Sequence, residues 1–98
     1  MVTILVTMTI SPTDAPEFEA ALDALMPLLR ETEPDTLRFD YYRVAKQEGV
    51  YRLFETYASR AAFDFHVNNP ATEPQRSTFK RLLSGPTDVQ FLTPMGGK

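Results

Sequence analysis

Glu55, Tyr57, His66 and Arg76 are the residues of this sequence whose types and spacing could carry chemistry. His66 is the only histidine. An imidazole titrates near neutrality, so it can take or give a proton at working pH. Glu55 could orient it, provided that the two side chains meet. Tyr57 shares a strand face with Glu55, and its hydroxyl could hydrogen-bond a phenolic ligand. Arg76 precedes Phe79 by three residues and Leu83 by seven, so it points toward an apolar helical stripe. An arginine placed there must find an anion or carry its head to the rim.

Each residue also has a plainer reading. His66 could be a core-edge histidine bonded to a backbone carbonyl. Glu55 could be a buried carboxylate satisfied by a neighbouring helix end. Tyr57 could close a strand with its hydroxyl in water, and Arg76 could be solvated or paired with Glu73.

Val50 to Pro70 positions the first three. Tyr51, Leu53, Phe54 and Tyr57 favour a pleated surface, so the first half reads as a strand that Glu55 interrupts. At Ser59 the period changes from two to about 3.6. Ser59 suits an N-cap, and Ala62, Phe63 and His66 then share one helical face. Asn68-Asn69-Pro70 stops that helix. His66 is therefore expected on the inner face of a short helix.

The remaining elements follow in order. Val2 to Ile10 alternates threonines with Ile4, Val6, Met8 and Ile10, which predicts a strand. Ser11-Pro12-Thr13 is a turn, and Asp14 with Glu17 spells a capping box around Pro16. The helix behind it runs to about Thr32, with Phe18, Leu22, Leu25 and Leu29 as its buried stripe and Pro27 as a kink. Glu33-Pro34-Asp35 ends it. Leu37 to Val44 reads as a strand with Leu37, Phe39 and Tyr41 on one side and Arg38, Asp40 and Tyr42 on the other. Ala45 to Gly49 reads as a hairpin connection. Thr72 and Gln75 spell a second capping box, ahead of a stripe of Phe79, Leu82 and Leu83. Gly85 is the expected C-cap, with Pro86 as a stop. Thr87 to Pro94 is a fourth strand, and Met95 to Lys98 a loose tail.

Strand, helix, strand, strand, helix, strand is the βαββαβ order of a ferredoxin-like α+β fold with a four-stranded antiparallel sheet, here one domain over residues 1–98. Both helices would cover one sheet face. Tyr42, Phe54 and Leu92 make the other face too apolar for water, which predicts a homodimer through it. A substrate pocket is expected between helices and sheet near His66. Strand parity assigns Val6, Met8, Leu53, Glu55 and Tyr57 to its sheet side. Phe63, His66, Arg76 and Phe79 supply the helix side.

Composition narrows the function. Ten basic and 13 acidic residues give a net charge of −3 with no block of either sign, which argues against nucleic acid. The absence of cysteine excludes disulfides and thiolate metal sites. One histidine without an H-x-x-x-H pattern argues against zinc. The apolar start reads as a strand and not a signal peptide, and no apolar run approaches the roughly 20 residues of a membrane span. A cytosolic location is expected.

Leu53-Phe54-Glu55-Thr56-Tyr57, Ser59 to Phe63, His66 and Pro70 together resemble the antibiotic-biosynthesis monooxygenase (ABM) family. Gln90 to Pro94 resembles that family's last strand, so the resemblance spans nearly the whole chain. It implies a dimeric α+β barrel and oxygen chemistry without metal, flavin or haem. It also implies a small aromatic, quinol- or anthrone-like substrate that supplies its own electrons. The substrate loses a proton, its anion passes an electron to O2, and recombination with loss of water gives a quinone. Such a site needs an apolar pocket, a proton acceptor and a donor for the anion. His66, Tyr57 and Arg76 fit these as catalytic residues. The anthrone-oxidising branch would place polar groups where this chain has Leu53 and Phe63, with Arg76 its one retained residue and Tyr57 a partial substitute. The quinol-monooxygenase-like branch has a histidine where His66 stands, again followed by proline. The haem-degrading branch matches at none of Met8, His66 and Arg76. A non-catalytic ligand-binding or sensing domain is the alternative, and an isomerase or cyclase that ignores O2 is a third.

Overall fold

The computed structural model describes residues 1–98. Four strands form one antiparallel sheet: β1 (Val2–Thr9), β2 (Thr36–Arg43), β3 (Val50–Tyr57) and β4 (Asp88–Leu92), in the spatial order β2-β3-β1-β4. Helix α1 (Ala15–Thr32) joins β1 to β2, and α2 (Arg60–Asn68) and α3 (Glu73–Leu82) lie between β3 and β4. This is the ferredoxin-like α+β arrangement that the sequence predicts, with the second helical region divided at Asn69. No helix is long and apolar enough to cross a membrane.

Parity organises the sheet. Tyr51, Leu53, Glu55 and Tyr57 are all buried on one face of β3, while Arg52, Phe54 and Thr56 alternate outward. Ile4 and Val6 stand opposite Glu55 and Leu53 on β1 and are buried with them. The predicted stripe of α1, Phe18, Leu22, Leu25 and Leu29, is buried against this face. Phe18 sits between Tyr51 and Phe79, at centroid distances of 4.6 and 5.3 Å. On the outward face, Leu5 opposes Phe54, Arg38 stacks on Phe54, and Tyr42 and Leu92 remain accessible.

Local signals fared unevenly. Ser59 caps α2 as expected, its Oγ accepting from the Ala62 N–H at 3.1 Å. The two predicted capping boxes are not formed. Asp14 and Thr72 each end a 3₁₀ turn, with φ/ψ of −95°/−5° and −107°/6°. Neither has the extended backbone that turns a cap side chain onto the helix. The Thr72 hydroxyl donates back to the Asn69 carbonyl instead. Gly85 is not the C-cap of α3 either. Leu83 leaves the helix extended and bridges to Ile10, so no left-handed residue is needed. Leu37 departs from its expected face, because the β2–β3 register shifts between Thr36 and Arg38 and leaves it exposed. Gly49 does require glycine: its φ is +79°, and a Cβ there would meet the Ile10 carbonyl oxygen at 2.0 Å.

Candidate functional site

Three elements bring ionisable groups together under α2. β3 delivers Glu55 and Tyr57 on its buried face. α1 delivers Glu33 just past its last turn, four residues beyond Leu29 and on the same stripe. α2 carries His66 in its last turn.

The imidazole lies between the two carboxylates. Its Nδ1 is 2.7 Å from Glu33 Oε1, and its Nε2 is 3.9 Å from Glu55 Oε1. The first is a hydrogen bond and the second is not. The His66 side chain is 13% exposed and that of Glu33 only 1%, so the pair is largely withdrawn from solvent. Glu33 accepts two further bonds, from Thr36 Oγ1 to Oε1 at 2.7 Å and from Asn69 Nδ2 to Oε2 at 2.8 Å. The Tyr57 hydroxyl donates to Glu55 Oε1. Aromatic rings close the cluster: Tyr57 and Phe39 lie 5.2 and 5.9 Å from the imidazole, and Phe63 packs edge-on against Tyr57.

Burial and hydrogen bonding act oppositely on the two carboxylates. Burial works against ionisation of Glu33, but bonds from His66, Asn69 and Thr36 outweigh it and hold that carboxyl below the usual range. Burial pushes Glu55 up, and the Tyr57 hydroxyl and His66 only partly oppose it. Burial, then the charge and hydrogen bond of Glu55, push the Tyr57 phenol well up, so it serves as a proton-bearing donor. Two carboxylates with opposed tendencies around one imidazole form an arrangement able to hold and pass a proton.

Of the residues expected at the site, the structure gathers His66, Glu55, Tyr57 and Phe63. Arg76 is used elsewhere. Its guanidinium donates to the carbonyls of Val67 at 3.0 Å and Asn69 at 2.5 Å, and to Thr72 Oγ1 at 3.2 Å. It clamps the C-terminal end of α2, whose last carbonyls lack helical partners. Val6, Leu53 and Phe79 are packed core, and Met8 leans on that core opposite Tyr51. Met8 therefore lies on the right face but toward the far end of β1, and Phe79 packs against Phe18 from α3. None of Val6, Met8, Leu53, Glu55, Phe63 or Phe79 lines a principal cavity.

Open space lies instead on the α1 side of His66. A cleft of about 360 Å³ runs between Met26, Leu29 and Arg30 of α1 and Thr36, Leu37 and Phe39 of β2, with Glu33 at its edge. A smaller one of about 90 Å³, between Thr32, Thr36, Ala62 and Phe65, meets Glu33 from the other side. Glu33, Phe39 and Asn69 were missed as site residues. The signal for Glu33 was available: the stripe Phe18, Leu22, Leu25, Leu29 continues to position 33.

The family model for antibiotic biosynthesis monooxygenase matches residues 1–73. That span takes in Glu33, Glu55, Tyr57 and His66 and stops before Arg76. Rv0793 from Mycobacterium tuberculosis is 30% identical, with 98% of this chain and 96% of that one aligned at a TM-score of 0.84. A candidate antibiotic biosynthesis monooxygenase from Caulobacter crescentus is 24% identical over 97% of this chain and 90% of its own, at 0.88. PA3566 from Pseudomonas aeruginosa is 22% identical over 97% and 94%, at 0.83. The last two show a shared fold. No curated protein matches the sequence.

Proposed function

The chain belongs to the antibiotic biosynthesis monooxygenase family, and from that footing we propose that it oxidises a small aromatic, quinol- or anthrone-like substrate with O2. The observation that carries this reading is the His66 imidazole set between Glu33 and Glu55 among aromatic rings. His66 Nε2 takes the phenolic proton. The phenolate passes one electron to O2, the radical pair recombines at a ring carbon, and water leaves. A hydroquinone thereby consumes one O2 and yields a hydroxyquinone and one water. The substrate supplies every electron, so the reading asks for no bound metal, flavin or haem. Tyr57 acts as the proton-bearing donor beside Glu55, and Arg76 as the clamp on α2. α2, which buries none of its residues fully, is the wall across which substrate would reach the imidazole. The same reading has two copies packed through the sheet face of Leu5, Tyr42, Phe54 and Leu92, in the cytosol.

A second reading rests on one observation: no principal cavity is lined by His66. The cluster would then lock α2 to α1 in a domain that binds a ligand without converting it. O2 uptake across a panel of hydroquinones and anthrones separates the two. Turnover that falls in His66→Ala supports the monooxygenase. Compounds that raise the melting temperature yet are never consumed support binding alone.

A further inference from the structure

We propose that Glu33 is the positioning residue of this site: it fixes the neutral His66 as the Nδ1–H tautomer and so presents the Nε2 lone pair to the reacting proton. This deepens the monooxygenase reading and rests on it for its catalytic meaning, although the tautomer itself does not depend on turnover.

The orientation is set by a chain of hydrogen bonds that starts in the backbone. The Ala71 N–H donates to Asn69 Oδ1 at 3.0 Å. This turns the Asn69 amide so that its Nδ2 donates to Glu33 Oε2 at 2.8 Å and to Thr32 Oγ1 at 2.9 Å. Thr32 Oγ1 is free to accept, because its own proton goes to the Leu28 carbonyl. Thr36 Oγ1 donates to Glu33 Oε1 from β2. Glu33 is thus ringed by donors and accepts from all of them, as an ionised carboxylate must. His66 Nδ1, 2.7 Å from Oε1, has to be the donor in its own bond. The remaining nitrogen, Nε2, then carries a lone pair toward β3, where Glu55 and Tyr57 face it. A carboxylate that fixes a tautomer in this way acts through its imidazole.

Replacing Glu33 by glutamine puts an –NH2 where only acceptors fit. That group meets either the Asn69 amide or the His66/Thr36 side. The Asn69 amide cannot turn without releasing Ala71, so relief comes at the imidazole, whose proton moves to Nε2.

The sole histidine makes this measurable by ¹⁵N NMR on the imidazole, at a pH where it is neutral. Wild type is expected to show Nδ1–H. Glu33→Gln is expected to shift the population toward Nε2–H. In an O2-uptake assay its kcat should fall by about ten- to a hundredfold, with KM little changed. Glu33→Asp, which keeps the charge, should restore part of both. An Nε2–H tautomer in wild type overturns the proposal, whether or not any variant folds. A folded Glu33→Gln that keeps the wild-type tautomer also overturns it. Absence of turnover with every substrate leaves the NMR result standing and sinks the monooxygenase reading alone.

Discussion

Glu33 Oε1 and His66 Nδ1, 33 residues apart in the chain, stand 2.7 Å apart in the fold. The contact ties the end of α1 to the end of α2 over the buried face of the sheet.

Because Glu33 accepts bonds from His66, Thr36 and Asn69, its removal strands donors on α2, on β2 and at the residue that follows α2. Glu33→Ala should cost about 2–4 kcal/mol of stability at neutral pH. Urea unfolding checks this, and a loss well under 1 kcal/mol would mean that the network carries little.

The two buried glutamates should slope stability in opposite directions with pH. Glu33 has a lowered folded pKa, so its contribution is present above the ordinary glutamate value and is lost as pH falls through the folded one. Glu55 has a raised folded pKa, so stability is full below the ordinary value and falls as pH rises through the folded one. Glu55→Gln mimics the protonated carboxyl and removes the second slope. Unfolding curves between about pH 4 and pH 8 should show the variant gaining on wild type as pH rises. A difference independent of pH contradicts the assignment.

Arg76 holds backbone carbonyls and should behave as a structural clamp. Arg76→Ala is expected to cost about 1–3 kcal/mol by freeing the Val67 and Asn69 carbonyls. Folded protein, assayed well below its melting temperature, should keep its turnover within the same order of magnitude. A collapse of kcat at unchanged stability would put the guanidinium on the substrate.

The caps offer a sharp contrast. Ser59→Ala removes an N-cap hydrogen bond and should cost about 1 kcal/mol. Asp14 makes no such bond, so Asp14→Ala should stay within about 0.5 kcal/mol of wild type. Chemical denaturation of both variants tests the pair.

Much of this fold is written in local pattern, and the site only partly so. Period-two alternation puts Glu55 and Tyr57 on the inner face of β3, and the spacing of Ala62, Phe63 and His66 puts the imidazole under α2. Parity names a face but not a height along the strand. At roughly 3.3 Å per residue, Met8 can share a face with Ile4 and still lie beyond reach of His66. Glu33 read as a helix breaker because it stands beside Pro34, and its polarity hid the stripe that it continues. Its meeting with His66 is long-range and has no local signature. The capping boxes failed for a related reason: the residue types were right, but a 3₁₀ turn had already set the backbone at Asp14 and Thr72.

The sheet face should mediate self-association. Leu5, Phe54, Tyr42 and Leu92 form an apolar band in which Tyr42 is 54% exposed. Sedimentation should give a mass near twice that of one 11.1 kDa chain for wild type, and a monomer for Phe54→Glu. A monomeric wild type at micromolar concentration contradicts this.

The most direct test of His66 as the proton acceptor is chemical rescue. O2 uptake by His66→Ala would be followed on a hydroquinone that wild type consumes, with and without added imidazole. With His66 as the proton acceptor, the variant loses about a hundredfold or more and partly recovers as imidazole fills the space left by the side chain. A variant as fast as wild type, indifferent to imidazole, would contradict that role.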